Sequence, residues 1–320
     1  MMKTKMALYS TMIIGTVITV SSESWLSMWM GLEMNMMSFI PLINLKPSKI
    51  SSEASLIYFL VQSISSIIML SMTILIMCNY LTIFIYDILT MSILIKLGSA
   101  PFHLWIPKMM AFMSWENNMI FMTWQKISPM YIINMMEFNN IMYFSIILSV
   151  IFGSLGGLYQ TSLRKMMAYS SISHLGWMMS LNKMKDNWII YLMIYSIMII
   201  TTCNYLKSKN MLFISQMFDQ KMNYIQKINI IMMMLSMGGM PPLLGFFPKW
   251  MVIEEMITSS VIMITIMILS SMLTLFFYLR IAFKLMMIQT MSNKYTMFNF
   301  EYSNMMFIIN MILPLMMLIY

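Results

Sequence analysis

Charged residues are scarce in this sequence, and their scarcity excludes a soluble protein. Asp, Glu, Lys and Arg make up 9% of the 320 residues, and hydrophobic residues make up 60%. A soluble domain carries about 25% charged residues. Apolar windows of about 20 residues recur from end to end, and a helix needs ~20 residues to cross ~30 Å of hydrocarbon. We therefore predict an all-α polytopic membrane protein, with one transmembrane domain over residues 1–320.

Cysteine is nearly absent as well, which excludes most metal and redox chemistry. The chain has two cysteines, Cys78 and Cys203, in or beside apolar runs and without CxxC spacing. Neither a metal site nor a disulfide framework is indicated, and we expect both as small buried residues. The chain also lacks a dinucleotide loop of the GxGxxG kind and a phosphate-binding loop. We predict no cofactor and no metal in this chain.

Methionine, in contrast, is abundant, with 51 residues. Met is normally a minor residue that fills irregular gaps in a core. We attribute the excess to a mitochondrial gene in an AT-rich genome, where AUA codons are read as Met and lipid-facing positions tolerate the exchange from Ile. A Met-rich binding surface is the alternative.

We predict about eleven transmembrane helices. Lys3 and Lys5 before the first apolar run imitate a signal peptide, but no small-residue cleavage site follows, so this run is interpreted as a membrane helix. The predicted spans are residues 4–21, 25–43, 54–77, 82–113, 118–136, 141–158, 165–181, 188–206, 228–257, 260–283 and 304–320.

The basic residues support this count, because loops on the side of synthesis collect Lys and Arg. With eleven spans, the N-terminus and the even-numbered loops hold 14 of the 19 Lys and Arg residues, whereas the odd-numbered loops hold only Lys183 and Lys185. We expect the N-terminus on the matrix side and the C-terminus in the intermembrane space. The net charge of +8 then reflects topology and gives no reason to invoke nucleic acid.

Two segments cannot continue a regular helix. Residues 98–107 contain Pro101 and Pro107, and residues 238–248 contain three glycines and three prolines. Proline has no amide hydrogen to donate, and it pushes the residue before it out of the α-helical region, so these segments should not form regular helix. Irregular backbone at membrane depth survives only inside protein or beside a wet cavity, and paired broken helices are typical of transport sites. We predict two discontinuous helices; ordinary interfacial loops, giving thirteen spans, are the alternative.

Four ionisable residues lie inside apolar runs: Glu33, Lys96, Lys126 and Lys249. A charge at bilayer depth costs roughly 2.5–3.5 kcal/mol on insertion scales, and such residues commonly mark ion or proton paths. Burial disfavours the charged ammonium and a nearby carboxylate favours it, so a Glu–Lys pair on neighbouring helices can switch a lysine between holding and releasing a proton.

His103, in the first break, and His174 are candidate proton relays, because imidazole can accept a proton on one nitrogen and release it from the other. Several structural alternatives remain open. Glu33 could be a protonated carboxyl that bonds two helices, Lys96 and Lys249 could be interfacial anchors, and each histidine could be a packing residue.

Four motifs in order along the chain resemble one family. They are Gly31-Leu-Glu-Met-Asn with Ser52-Glu-Ala-Ser-Leu-Ile-Tyr-Phe-Leu; Lys96-Leu-Gly-Ser-Ala-Pro-Phe-His-Leu-Trp-Ile-Pro with Thr123-Trp-Gln-Lys-Ile-Ser-Pro; the stretch from Gly156-Gly-Leu-Tyr-Gln to Ser173-His-Leu-Gly-Trp; and Gly238-Gly-Met-Pro-Pro-Leu-Leu-Gly-Phe-Phe-Pro-Lys-Trp. Residues 6–285 resemble the antiporter-like membrane-arm subunits of respiratory complex I, the mitochondrial NADH:ubiquinone oxidoreductase, in the shortened animal form.

The resemblance implies a fold, a role and a site. It implies an antiporter-like fold in the mitochondrial inner membrane, with Glu33, Lys96, Lys126 and Lys249 on a water-linked polar axis that carries protons. NADH, FMN, iron–sulfur clusters and ubiquinone would be bound by partner subunits. The partners would be other membrane-arm subunits, including other antiporter-like chains, and the lipid bilayer. Lys108 departs from the family, where many relatives are acidic or neutral.

Two other classes of function remain open from the sequence. The chain could be a free-standing cation/proton antiporter of the same fold, although such transporters usually have about three more helices. It could also be a structural spacer that assembles the membrane arm without carrying protons. The substitution Lys126→Met distinguishes the proton carrier from the spacer.

Overall fold

The protein is described by a computed structural model covering residues 2–45, 47–79, 83–183, 187–219, 224–258 and 260–287. Within these residues the regular structure is helical, with no β-strand. The α-helices are α1 (Met2–Ser21), α2 (Trp25–Ile43), α3 (Lys49–Met77), α4 (Ile83–Leu97), α5 (Trp105–Phe112), α6 (Trp115–Thr123), α7 (Ile127–Met135), α8 (Asn140–Leu158), α9 (Leu163–Ser180), α10 (Asn187–Ser208), α11 (Ile214–Asp219), α12 (Tyr224–Gly238), α13 (Phe246–Ile257) and α14 (Val261–Met287). Two 3-10 turns, Trp124–Lys126 and Leu181–Lys183, lie between helices.

The chain divides into two compact units, the N-terminal unit (residues 1–149) and the C-terminal unit (residues 150–320). Each predicted span up to residue 283 coincides with a helix or with consecutive helices. The eleventh predicted span, 304–320, lies outside the described residues. α3 begins earlier than predicted, at Lys49, because Ser48 accepts a hydrogen bond from the Ser51 amide at 3.1 Å and caps the helix.

Among the described residues, four helices are each long and apolar enough to cross a membrane by length and composition: α3, α8, α10 and α14. The total of about eleven crossings stays a prediction. The expectation of two buried cysteines is half right. Cys203 is buried inside α10, whereas Cys78 is exposed, because it follows the last residue of α3 and lies at the open end of that helix.

Polar contacts in the N-terminal unit show which helix ends meet. Lys5, near the start of α1, forms an ion pair with Glu116 at 3.1 Å. The Asn117 amide, at the start of α6, donates to the Leu42 carbonyl near the end of α2 at 3.2 Å. The starts of α1 and α6 and the end of α2 therefore lie together. The predicted topology places these three points on one side of the membrane.

A second cluster of helix ends lies near the far end of α3. This helix begins after α2 and is about 43 Å long. There the Asn139 amide, before α8, donates to the Asp87 carboxylate in the first turns of α4 at 3.0 Å. The path from Asp87 through α4 and α5 to Asn117 thus runs from the second cluster back to the first. The predicted topology counts these two short helices as one crossing.

The C-terminal unit has the same alternation. Arg280 of α14 donates to the Leu158 carbonyl at the end of α8 at 2.8 Å, and the Leu163 amide donates to the Leu212 carbonyl at 2.9 Å. At another place Asn187, the first residue of α10, donates to the Glu255 carboxylate near the end of α13. The predicted topology puts the first two contacts on one side and the third on the other.

Both predicted helix breaks are present, and they have the same cap. After α4, the Ser99 amide donates to the Leu94 carbonyl at 3.1 Å, and Gly98 has φ of 68°. After α12, the Met240 amide donates to the Leu235 carbonyl at 3.2 Å, and Gly239 has φ of 74°. This is the Schellman cap, in which a left-handed residue, usually glycine, ends the helix.

The helices beside each break are short. α4 and α12 have 15 residues each, or about 22 Å, and α5 and α13 have 8 and 12 residues. None of the four reaches the ~30 Å of a bilayer core by itself. Residues 98–104 and 239–245 separate these short helices, as the prediction of two discontinuous helices requires.

In the N-terminal unit, α1 and α2 pack through a glycine contact. A Cβ atom on Gly31 would lie 2.5 Å from Thr19 Cγ2 and 2.8 Å from the Gly15 carbonyl oxygen. Small residues let helix backbones approach closely in membranes. This contact fixes the position of α2 only two residues before Glu33.

Candidate functional site

Glu33 and Lys96 form an ion pair between α2 and α4. Lys96 Nζ lies 3.8 Å from Glu33 Oε1, and the lysine side chain is 1% exposed while the glutamate side chain is 18% exposed. The distance is longer than a hydrogen bond and still within direct electrostatic contact. The structure therefore brings two of the predicted site residues together across two helices.

Lys96 lies in the last turn of α4, directly before the first break. The Gln62 side chain of α3 donates to the Lys96 carbonyl at 3.1 Å, so a carbonyl that the helix leaves open is satisfied by a neighbouring helix. A cation also suits the carbonyl end of a helix. The lysine is held at the interruption in the backbone, and the buried Gln62 helps to anchor it there.

Lys126 lies within the predicted span 118–136, where the structure has an interruption of the α-helix that the sequence did not predict. The helix stops at Thr123, a 3-10 turn spans Trp124–Lys126, and α7 starts at Ile127. Pro129 gives the reason: it has no amide hydrogen, and its ring crowds the carbonyl of residue 125, four positions earlier. Lys126 is 3% exposed and ends this turn.

One small cavity is lined by both predicted site lysines of the N-terminal unit, Lys96 and Lys126. Its volume is about 20 Å³ for the centre of a water-sized sphere, which is room for about one water molecule. Polar and apolar side chains from several helices line it. They are Leu32, Asn35, Tyr58, Gln62, Lys96, Leu97, Phe121, Gln125, Lys126, Ser128 and Pro129.

The cavity has hydrogen-bonding groups that suit a water molecule. The Asn35 amide donates to Ser128 Oγ at 2.8 Å and joins α2 to α7. Within the described part of the chain, Asn35 Oδ1 and Gln125 Nε2 are buried and make no hydrogen bond. Burying such groups without a bond is costly, so an acceptor and a donor beside this cavity favour bound water between Lys96 and Lys126.

Lys249 occupies the second break, in the C-terminal unit. Its Nζ donates to the Gly238 carbonyl at 2.8 Å and lies 5.9 Å from the centre of the Trp177 ring. A Cβ atom on Gly239 would lie 2.7 Å from the same Nζ. A side chain at residue 239 would displace the lysine from this position, and the positive φ of 74° favours glycine in any case.

His174, on α9, contacts the same helix end. Its Nε2 lies 3.3 Å from the Met237 carbonyl oxygen, and its Nδ1 lies 2.8 Å from the Tyr191 hydroxyl. A carbonyl only accepts, so Nε2 carries a hydrogen and, in the neutral ring, Nδ1 accepts from the tyrosine. The last two carbonyls of α12 thus receive two predicted site residues, His174 and Lys249.

His103 is buried within the loop of the first break and bonds to the backbone of Pro101. It is not among the residues that line the cavity. Sequence reasoning missed several residues that the geometry adds, above all Asn35, Gln125, Ser128 and Tyr191. Asn35 lies two residues after Glu33 in the same motif, whereas nothing in the sequence around Tyr191 indicates a contact with His174.

Comparisons with known proteins agree with this fold. A family model described as the transmembrane part of NADH:quinone oxidoreductase and Mrp antiporters matches residues 22–277. The chain is 42% identical to the NADH-ubiquinone oxidoreductase chain 2 of Anopheles gambiae, and the match covers 94% of this chain and 92% of the relative.

Solved structures give the same class of fold. A chain of respiratory complex I from Thermus thermophilus, with bound aureothin, aligns at a TM-score of 0.80 and 20% identity over 88% of this chain and 70% of that one. A chain of the Mrp complex from Dietzia aligns at 0.74 and 16% identity over 86% of this chain and 59% of that one. The fold is therefore that of an antiporter-like membrane subunit.

The chain belongs to the NADH:quinone oxidoreductase/Mrp antiporter transmembrane family. Within that family, it matches curated chain 2 relatives along most of their length. The resemblance predicted from the four motifs is confirmed.

Proposed function

We propose that this chain is a membrane-arm subunit of a mitochondrial NADH:ubiquinone oxidoreductase and that it translocates protons. The names of its relatives support the assignment to that complex. The supporting observation for proton transfer is the arrangement in the N-terminal unit, where the buried Lys96, paired with Glu33, lines one small cavity together with the buried Lys126. Ionisable groups at this depth are expensive and typically serve transport.

The ion pair works as a switch in this proposal. When Glu33 lies beside Lys96, its carboxylate favours the charged lysine, and when it moves away, burial favours release of the proton. The released proton passes through water in the cavity to Lys126. In the C-terminal unit, Lys249 and His174 hold protons at the end of α12, and His103 is proposed as a relay in the first break.

The proposed topology has about eleven crossings, two of them discontinuous, in one antiporter-like domain. The short helices beside each break and the hydrogen bonds between helix ends support it. If both helices beside a break crossed the membrane completely, helix ends that share a hydrogen bond would lie on opposite sides of the membrane. We place the chain in the inner membrane with the N-terminus in the matrix and the C-terminus in the intermembrane space.

The redox chemistry is assigned to partner subunits. In this proposal the chain holds no cofactor, and NADH, FMN, the iron–sulfur clusters and ubiquinone are bound elsewhere in the complex. Its partners are the other membrane-arm subunits, including other antiporter-like chains, and the lipid around them, with no nucleic acid. Charge changes driven by quinone reduction in those partners would move Glu33 relative to Lys96.

The substitution Lys126→Met tests the proposal. Met preserves much of the side-chain volume and removes the proton-binding group, so the complex should assemble while fewer protons cross the membrane per NADH oxidised. The measurement is acidification in proteoliposomes that contain the purified complex. The control is Lys108→Met, because Lys108 is exposed on α5. Pumping equal to the control in an assembled Lys126→Met complex would contradict the proposal and favour a structural spacer.

A free-standing cation/proton antiporter is the second candidate, favoured by the fold similarity to a chain of the Mrp complex. A native gel of a mild detergent extract separates the two. Migration with a large multi-subunit assembly that oxidises NADH supports the first candidate, and migration as a small oligomer supports the second.

A further inference from the structure

We propose that Tyr191, Asn187 and Glu255 form a proton branch that connects His174 with the surface of the C-terminal unit. This inference rests on the proposed proton translocation and extends it to residues that the four motifs leave out. Asn187 and Tyr191 lie on α10, and Glu255 lies on α13. Each of them takes part in one step of the proposed proton transfer.

The first step is the contact between His174 and Tyr191. Tyr191 is fully buried, and its hydroxyl lies 2.8 Å from His174 Nδ1. A phenol hydroxyl both donates and accepts, so it can bond to the neutral ring as a donor and to the charged ring as an acceptor. The other ring nitrogen is engaged by the Met237 carbonyl, which cannot take a proton away. Tyr191 is therefore the exit from the ring in this geometry.

The second step follows one face of α10. Asn187 and Tyr191 are four residues apart, so they lie on the same face, about 6 Å along the helix axis from each other. In the proposed branch, one water molecule bridges the Tyr191 hydroxyl to the polar groups at Asn187. The 3-10 turn Leu181–Lys183 packs against both α10 and α13, and it brings the buried Asn182 to the same end of the unit.

The third step is the carboxylate of Glu255. Asn187 donates its amide to Oε1 and orients the group. Oε2 is buried and has no hydrogen bond to any residue in the described ranges, yet the residue as a whole is only half-buried and its neighbour Glu254 is exposed. Glu255 thus has one oxygen directed to the interior and lies at the surface of the unit, as the last member of a proton path requires.

The proton balance is simple. The charged His174 ring gives its Nδ1 proton to the Tyr191 oxygen while the tyrosine hydroxyl gives its own proton to the bridging water. That water in turn gives a proton to the Glu255 carboxylate. His174 ends neutral, Tyr191 and the water are unchanged, and Glu255 becomes a carboxylic acid that releases its proton at the surface. No oxidant or reductant takes part.

The test uses two matched pairs of variants in the assembled complex. Tyr191→Phe removes the hydroxyl on the path, and its control is Tyr195→Phe, because Tyr195 is equally buried, lies one turn further along α10 and bonds to Ser171 instead. Glu255→Gln keeps an oxygen for the Asn187 amide and removes the proton-binding group. Its control is Glu254→Gln at the exposed neighbour.

The readout is the number of protons moved per NADH oxidised in proteoliposomes. We expect Tyr191→Phe and Glu255→Gln each to lower this ratio by the same fraction as Lys249→Met, and we expect the Tyr191→Phe/Lys249→Met double variant to lose no more than Lys249→Met alone. The residues would pass the proton one after another, so the loss of one already stops the path. The loss of a second should therefore add nothing. Tyr195→Phe and Glu254→Gln should retain the wild-type ratio.

The possible outcomes separate this branch from the proposed function. If Lys126→Met lowers the ratio while Tyr191→Phe and Glu255→Gln match their controls, the branch is overturned and the proposed function stands. If Lys126→Met also pumps normally, the proposed function fails and the branch fails with it. If Tyr191→Phe does not assemble, Glu255→Gln decides alone, because a half-buried Glu-to-Gln change leaves the packing intact.

Discussion

The Glu33–Lys96 pair allows a quantitative prediction. Two unit charges 3.8 Å apart, at an effective dielectric constant of about 20, attract each other by about 4 kcal/mol. Removing one partner of a buried pair costs about 3–5 kcal/mol, whereas replacing both by uncharged groups is often nearly neutral. We therefore expect Glu33→Gln alone to destabilise the chain more than the double variant Glu33→Gln/Lys96→Met, in which no buried charge is left.

The assay is the temperature at which half of this chain dissociates from the detergent-solubilised complex, read from native gels after stepwise heating. The wild type, both single variants and the double variant form a thermodynamic cycle. Glu23→Gln is the control, since Glu23 is exposed before α2 and its charge is worth little there. A double variant whose loss equals the sum of the two single losses would refute the interaction between Glu33 and Lys96.

Two further predictions concern the packing that holds α2. Gly31→Ala should lower the stability of the folded chain by about 1–3 kcal/mol and reduce the amount of assembled complex, because the new methyl group would lie 2.5 Å from Thr19 Cγ2. The amount of complex is read from a native gel. The control is Gly238→Ala, where the atom nearest to the new methyl group is 3.5 Å away. Asn35→Ala and Ser128→Ala should show a coupling of about 0.6–1.7 kcal/mol in thermal dissociation, which is the range for hydrogen bonds between membrane helices. Independent losses in that cycle would count against the bond.

The sequence was most informative where local chemistry determines the backbone. Gly98 and Gly239 end their helices with positive φ, and the prolines that follow prevent the helices from resuming at once, so both breaks were predictable from residue type. The interruption at Lys126 was less evident. Pro129 follows the lysine by three residues, but its effect falls four residues before the proline, at position 125.

The contacts between helices could not be predicted from the sequence to the same degree. Tyr191 meets His174 across 17 residues of chain, and Asn35 meets Ser128 across 93. Such pairs depend on how helices rotate and pack, and helices surrounded by lipid show no polar face that would indicate the rotation in advance. The ionisable residues were found because they are costly in lipid, whereas their hydroxyl and amide neighbours carry no such mark.

The most direct measurement of the central claim is a density map of the intact complex at a resolution that shows ordered water. We expect a water molecule in the cavity of the N-terminal unit, within hydrogen-bonding distance of Asn35 Oδ1 or Gln125 Nε2 and between the side chains of Lys96 and Lys126. A dry cavity closed by apolar side chains, with Lys126 directed towards the lipid headgroups, would contradict it.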